Sequence, residues 1–243
     1  MSVVDRSAEA LPLHKQIKAD LVRRITTGEW WPGELMPSET ALAAEYGVSV
    51  GTTRKAIDAL VQDNLVVRQR GRGTTVNSTR QRYKPYHFDR FANAKGERAA
   101  ETTLYRSCEA AKASAAEAAY FGLSRGAPVV KIRRVRVAGK TPVVVEDILL
   151  RGDRCPNIAS LLLDAKPTSV YALIERTFHI LIIRVEDKVR AVAADEDIAA
   201  TLEIAPGEAI LEVDRLAFDP AGDVIEHRIL SVRNSIHYTN DFT

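Results

Sequence analysis

The stretch from Pro37 to Val76, PSETALAAEYGVSVGTTRKAIDALVQDNLVVRQRGRGTTV, decides how the N-terminal part of the chain folds. Ser38 stands where a hydroxyl accepts from the orphan N–H groups of a first helical turn, and Glu39 sets a negative charge against the positive end of the dipole. The helix so started carries Ala41, Leu42, Ala43 and Tyr46. Gly47 ends it, because glycine enters the left-handed region without a Cβ clash; Val48 is an apolar plug and Ser49 caps a second helix. That second helix is expected from about Val50 to about Asp63, since Thr53, Ala56, Ile57 and Leu60 recur at spacings of three and four and form an apolar face. Its other face shows Val50, Gly51, Thr52, Arg54, Lys55 and Asp58, and Asn64 ends it. Leu65 to Arg68 and Thr74 to Val76 read as short strands around the tip Arg70-Gly71-Arg72-Gly73. Two capped helices joined by a turn of three residues, followed by a basic hairpin, make a winged helix-turn-helix.

A helix docked in this way reads bases with its N-terminal residues, so Gly51 and Thr52 approach base edges while Arg54 reaches a base or a phosphate. The hairpin arginines fit a groove or phosphates. From Val50 to Lys84 the basic residues are Arg54, Lys55, Arg68, Arg70, Arg72, Arg80, Arg82 and Lys84, opposed only by Asp58 and Asp63. The whole chain is close to neutral, with 34 basic and 32 acidic residues, a net charge of +2 and a pI near 8.5. Affinity for nucleic acid must therefore come from local clustering. A solvated basic surface on an ordinary helical domain is the alternative, but cap, turn, amphipathic helix and basic hairpin occur in the order that DNA binding requires.

With 243 residues and 46% hydrophobic content, the chain can build one large or two modest cores. Cys108 and Cys155 are the only cysteines, too few and too far apart for a disulfide or metal framework, which fits reduced thiols in a cytoplasmic protein. Met1 to Ala10 carries Asp5, Arg6 and Glu9 and lacks the apolar core of a signal peptide; no run approaches membrane-spanning length. Leu13, Ile17, Leu21 and Ile25, at spacings of four, predict a first helix that ends near Gly28 and covers the N-terminal core. Trp30 and Trp31 are expected to pack over that core or against the other domain. The polar segment after Val76, residues 77–86, reads as a linker.

The C-terminal half repeats itself. Ala118 to Val135 aligns with Ala199 to Leu216, each a helix end, a glycine turn and a strand, and each continues through a second turn into a returning strand, Val143 to Leu150 or Val224 to Val232. Between the copies, Ile158 to Leu163 and Ser169 to Arg176 are expected to be helical and Ile180 to Val192 extended. Helix plus antiparallel hairpin, twice, implies an α+β domain with pseudo-twofold halves. The repeat matches Arg134 with Arg215 on the outgoing strands and Glu146 with Glu226 on the returning ones. Arg134 and Arg136 project to the same side as Ile132, so if buried each needs a partner or a ligand. One Arg–Glu salt bridge per half, or a bound ligand, would satisfy that need.

The chain resembles the GntR family of bacterial transcription regulators. The resemblance rests on Pro12-Leu13 followed by Gln16-Ile17, on Pro32-Gly33, on Pro37-Ser38-Glu39, on Tyr46 to Ser49, on Thr52, Arg54 and Ala56, and on the wing Gly71 to Thr74. It implies operator DNA as partner and a DNA-facing set of Ser38, Glu39, Thr40, Ser49, Val50, Gly51, Thr52, Arg54, Lys55, Arg70, Gly71 and Arg72. At Thr40 and Val50 relatives commonly carry arginine. The second half is similar to the effector-binding UTRA domain of the HutC-like branch, whose antiparallel fold resembles chorismate lyase and whose ligands sit between sheet and helices. On that pattern Arg134, Arg136, Glu146, Ser169 and Glu226 line the pocket, and Val232 stands where relatives often have an aromatic residue.

An enzyme of chorismate lyase-like fold is the rival reading. Against it, His14, His87, His179, His227 and His237 have no metal-ligand spacing, and neither a nucleophile motif nor a phosphate loop is present. A winged helix used only for protein contacts leaves the basic wing without a role. The sequence therefore predicts three regions: a winged helix-turn-helix over residues 1–76, a linker over 77–86, and an α+β effector and dimerisation domain over 87–243. The expected molecule is a homodimeric regulator, without cofactor, metal or membrane partner. Its effector is expected to be anionic because guanidinium groups recognise carboxylate and phosphate bidentately.

Overall fold

The computed structural model describes residues 4–5, 7, 10–78, 88–98 and 102–239. They divide between two compact units, one within Met1–Pro85, Ile174–Ile183 and Asp219–Gly222, the other within Tyr86–Leu173, Arg184–Phe218 and Asp223–Thr243. Most of the expected linker lies outside the described residues. Asn77 and Ser78 do not, and both are buried: the Asn77 amide donates to the Asn64 carbonyl at 2.6 Å, so the first unit runs past its last strand.

The first unit opens with α1 (Leu13–Thr26), which buries Ile17, Leu21 and Ile25 on one face. α2 (Glu39–Tyr46) and α3 (Val50–Gln62) follow, then the hairpin of β1 (Val66–Gln69) and β2 (Gly73–Val76). Ser38 Oγ accepts from the Ala41 N–H at 3.1 Å, Ser49 Oγ accepts from the Thr52 N–H at 3.2 Å, and Gly47 takes φ 64° between the helices, as the sequence predicts. Ile17, Leu21, Leu42, Ile57, Leu60, Leu65 and Val76 form the core. The adjacent indoles separate: Trp30 is buried in this core with the Arg24 guanidinium 4.3 Å over its ring, whereas Trp31 is 40% exposed.

The second unit is built on a six-stranded antiparallel sheet in the order β4-β5-β6-β9-β8-β7. Its strands are β4 (Thr102–Lys112), β5 (Pro128–Ala138), β6 (Thr141–Arg151), β7 (Arg184–Ala193), β8 (Ala209–Phe218) and β9 (Val224–Val232). A short ribbon pairs β3 (Phe91–Ala92) with β10 (His237–Tyr238). The helices are α4 (Ala115–Tyr120), α5 (Ile158–Ala165) and α7 (Glu196–Leu202); α6 (Val170–Phe178) starts here, and its residues from Ile174 onward belong to the first unit.

The internal repeat is present and longer than the sequence suggested. Each half is a strand, a helix and a hairpin, β4-α4-β5-β6 and β7-α7-β8-β9, and the halves join at the centre of the sheet, where Val144 faces Val232 and Leu150 faces Glu226. Ser114 and Asp195 cap the two repeat helices, the former in a capping box with Glu117. α7 packs on Val145 and Ile210. Phe121 and Ala118 of the α4 segment pack on Val129 and Leu149. Strand alternation therefore turns the even-numbered residues Arg134, Arg136 and Glu146 to the opposite face.

Candidate nucleic-acid interface and effector site

On the first unit, Thr40, Gly51, Arg54, Lys55, Arg70, Gly71 and Arg72 are exposed, Val50 and Thr52 are half-buried, and Ser38 and Ser49 are exposed caps. Ser49 Oγ also lies 2.9 Å from Thr52 Oγ1, so the cap fixes the side chain beside it. The wing holds its tip with Gln69 opposite Gly73, and Gly73 has φ 102° with Leu35 so close that an added Cβ would lie 3.1 Å from Leu35 Cδ1. Glu39 has a role that sequence reading did not separate from DNA contact: its carboxylate accepts from Arg54 Nε at 2.8 Å and from Arg68 Nη2 at 2.7 Å. Arg68 is held a second time, by Asp58. One acidic residue at the start of α2 thus orients a guanidinium from α3 and another from β1. Arg68 was legible in the basic run, but only the fold brings it beside Arg54.

On the second unit, one face of the sheet carries a set of buried charges. Arg134 lies 2% exposed and directly opposite Glu146, donating through Nε to Glu146 Oε2 at 2.7 Å and through Nη1 to Tyr105 Oη at 3.2 Å and the Thr168 carbonyl at 3.3 Å. The other oxygen of Glu146 accepts from Arg228 Nη1 at 2.8 Å. Arg228 in turn grips Glu226 bidentately at 2.9 and 2.8 Å, and Tyr171 Oη donates to the same carboxylate at 2.7 Å. Arg215 forks onto Asp187 at 2.7 Å twice and donates to the Phe88 carbonyl at 2.7 Å; Tyr238 Oη adds a third bond to Asp187. Arg136 forks onto Asp89 at 3.0 and 2.6 Å. Ser169 Oγ accepts from the Ala172 N–H at 3.2 Å at the start of α6. Four guanidiniums, of Arg134, Arg136, Arg215 and Arg228, thus meet four carboxylates, of Glu146, Glu226, Asp187 and Asp89.

Burial alone would push the Glu146 carboxyl up, but the guanidiniums of Arg134, Arg228 and Arg136 outweigh it and hold its pKa at about 2. Burial likewise disfavours charge on Arg228, and Glu226 and Glu146 reverse that effect, raising its pKa well above the ordinary value. The Tyr171 hydroxyl is pushed up by burial and by the Glu226 charge beside it.

One Arg–Glu bridge per half holds only for the first half. In the second, Arg215 faces Arg228 on one side and Asp187 on the other, while Glu226 faces Ala217, because the register of the β8–β9 hairpin differs from that of β5–β6. Arg215 therefore takes Asp187, and Glu226 takes Arg228. Sequence reasoning missed Arg228, Asp187, Asp89 and Tyr171. Arg228 had a signal, standing two residues from Glu226 and so on the same strand face; Asp89 and Asp187 had none, since their partners are set by tertiary pairing. Val232 is not in the charged set: it is buried with Phe91, Val144 and Leu230. Among the described residues no group of His, Cys, Asp or Glu could hold a metal ion, and no helix is long and apolar enough to cross a membrane.

A winged helix-turn-helix in one unit and a six-stranded antiparallel sheet in the other are the architecture of a DNA-binding regulator. Residues 13–76 match the bacterial regulatory proteins of the gntR family and residues 97–237 match the UTRA domain; the chain belongs to the GntR family of transcription regulators, and it is not an enzyme. It is 28% identical over 225 residues to the HTH-type transcriptional repressor NagR of Bacillus subtilis strain 168, covering 89% of this chain and 88% of that one. To the mannosyl-D-glycerate transport/metabolism system repressor MngR of Escherichia coli K12 it is 25% identical over 233 residues, 95% and 93% of the two chains. Among solved structures, the ligand-binding domain of a regulator assigned to the GntR family in Bordetella bronchiseptica superposes with a TM-score of 0.60 at 31% identity, over 65% of this chain and 99% of that one. PhnF of Mycobacterium smegmatis, at 22% identity and a TM-score of 0.51, shares the fold over 92% of this chain and 96% of its own.

Proposed function

We propose that the protein is a repressor that binds operator DNA as a homodimer and is released when a small anionic metabolite occupies the polar face of its UTRA domain. The observation that carries the sensing half is the buried set Arg134, Arg136, Arg215 and Arg228 on one side of the sheet, since buried ion pairs add little stability by themselves and guanidinium forks suit carboxylate or phosphate. Glu146, Glu226 and Ser169 would then hold the hydroxyl or amino groups of the ligand. The relative MngR, named as the repressor of a mannosyl-D-glycerate transport/metabolism system, favours a sugar-like acid within that anionic class. Dimerisation follows from operator logic: one α3 covers few base pairs, and a symmetric pair on an inverted repeat gains specificity.

Thermal unfolding against a panel of sugar phosphates and organic acids tests the sensing half. The proposal expects at least one member to raise the midpoint and also to dissociate the protein from the promoter beside its own gene in a mobility-shift assay. The competing reading, favoured by the complete pairing of the four carboxylates, is a purely structural charge network. It expects no anion to shift the midpoint.

A further inference from the structure

The segment Phe88–Asp89 leads into the UTRA domain from its N-terminal side and lies across two of the four buried guanidiniums. The Asp89 carboxylate fills the fork of Arg136 through Oδ1 and Oδ2 at 3.0 and 2.6 Å, and Arg98 Nε approaches the same carboxylate at 3.2 Å. The preceding carbonyl, of Phe88, accepts from Arg215 Nη1 at 2.7 Å, and the Phe88 ring meets Tyr171 edge-on at 6.0 Å. Directly after it comes β3, whose Phe91 is buried in the sheet core and whose partner strand carries Tyr238, bonded to the Asp187 that holds Arg215.

A bidentate carboxylate on a buried arginine is the geometry a ligand carboxylate or phosphate would adopt. We propose that Asp89 is an internal stand-in for the effector's anionic group: a ligand bearing a carboxylate or phosphate displaces Asp89 from Arg136 and Arg98, and the Phe88–Ala92 segment lets go of the sheet. The inference rests on the reading of the effector as anionic, and adds where the anion binds and what it replaces. Exchange of one carboxylate for another keeps the buried charge balanced, so the step avoids the cost of stranding an unpaired guanidinium. The displaced residue lies shortly after the expected linker over residues 77–86, so the exchange acts on the N-terminal entry to the domain. The site without ligand is then a closed population, and its apparent affinity is reduced by the fraction in which Asp89 is already away.

The test uses full-length protein and inorganic phosphate, with chloride at matched ionic strength as control. Calorimetry reads affinity, and hydrogen exchange reads the backbone amides of residues 88–92 and 237–238. The expected result is that phosphate speeds exchange in both segments of the wild type. Asp89→Asn should exchange fast without phosphate and bind it about tenfold more tightly, as removal of a competitor occupying most of the population requires. If Asp89→Asn does not fold, Asp89→Asn with Arg136→Met removes the pair without stranding a charge; it should exchange fast in the absence of phosphate and lose the phosphate affinity. Phosphate binding equally to wild type and Asp89→Asn, or leaving exchange at 88–92 unchanged or slower, would overturn the displacement while the anionic effector stood. Phosphate binding to neither protein would remove the anionic reading and this inference with it.

Discussion

Glu146 accepts from Arg134 and from Arg228 and is almost wholly buried, so the protein's stability is tied to its charge. Its carboxyl sits at about 2 in the folded chain against an ordinary 4.5, and a depressed folded pKa fixes the sign of the linkage. The stabilisation is complete above the unfolded value and is lost as pH falls from about 4.5 towards 2. Urea midpoints should therefore fall steeply through that window in the wild type and more gently in Glu146→Gln. At neutral pH the same variant should be less stable by about 3–5 kcal/mol, because Arg134 and Arg228 lose their shared carboxylate in a buried setting. Thr53 gives the opposite expectation. It is fully buried on the core side of α3, and its Oγ1 has no hydrogen-bond partner among the described residues. Thr53→Val keeps the shape and removes an unsatisfied hydroxyl, so the urea midpoint should rise by the equivalent of about 1 kcal/mol with the slope unchanged.

The helices of the first unit and the hairpins of the second were legible because their signals are local. Serine caps, the glycine at φ 64° and apolar periodicity placed α2 and α3 to within a residue, and the repeat placed β5, β6, β8 and β9. What stayed hidden depends on partners distant in sequence. β3 and β10 are two residues each, too short for any pattern, and β4 forms the edge of the sheet with alternating exposure that reads like loop composition. The identity of the partner for Arg215 follows from hairpin register, which the sequence of the repeat does not reveal because its two turns differ. The cap of α3 is open to direct test. Ser49→Ala should cost about 1 kcal/mol of stability, and because Ser49 Oγ also positions Thr52, it should weaken binding to specific DNA more than to random duplex.

The protein combines an exposed basic surface with a buried polar one in a nearly neutral chain of net charge +2. Affinity for DNA then rests on few groups. Loss of Arg72, if it meets only phosphate, should weaken all sequences alike and lower the salt slope by about one, whereas loss of Arg54 should also relax the preference at particular base pairs by roughly 1–3 kcal/mol. α3 and the wing are proposed to read sequence as a symmetric pair. The measurement that tests this most directly is selection of binding sites from a randomised duplex library by the full-length protein and by its Arg54→Ala, Arg72→Ala variant. The wild type should enrich an inverted repeat with half-sites spaced by about one helical turn, and the double variant should enrich nothing. No enrichment by the wild type, or the same motif recovered by the double variant, would contradict this reading.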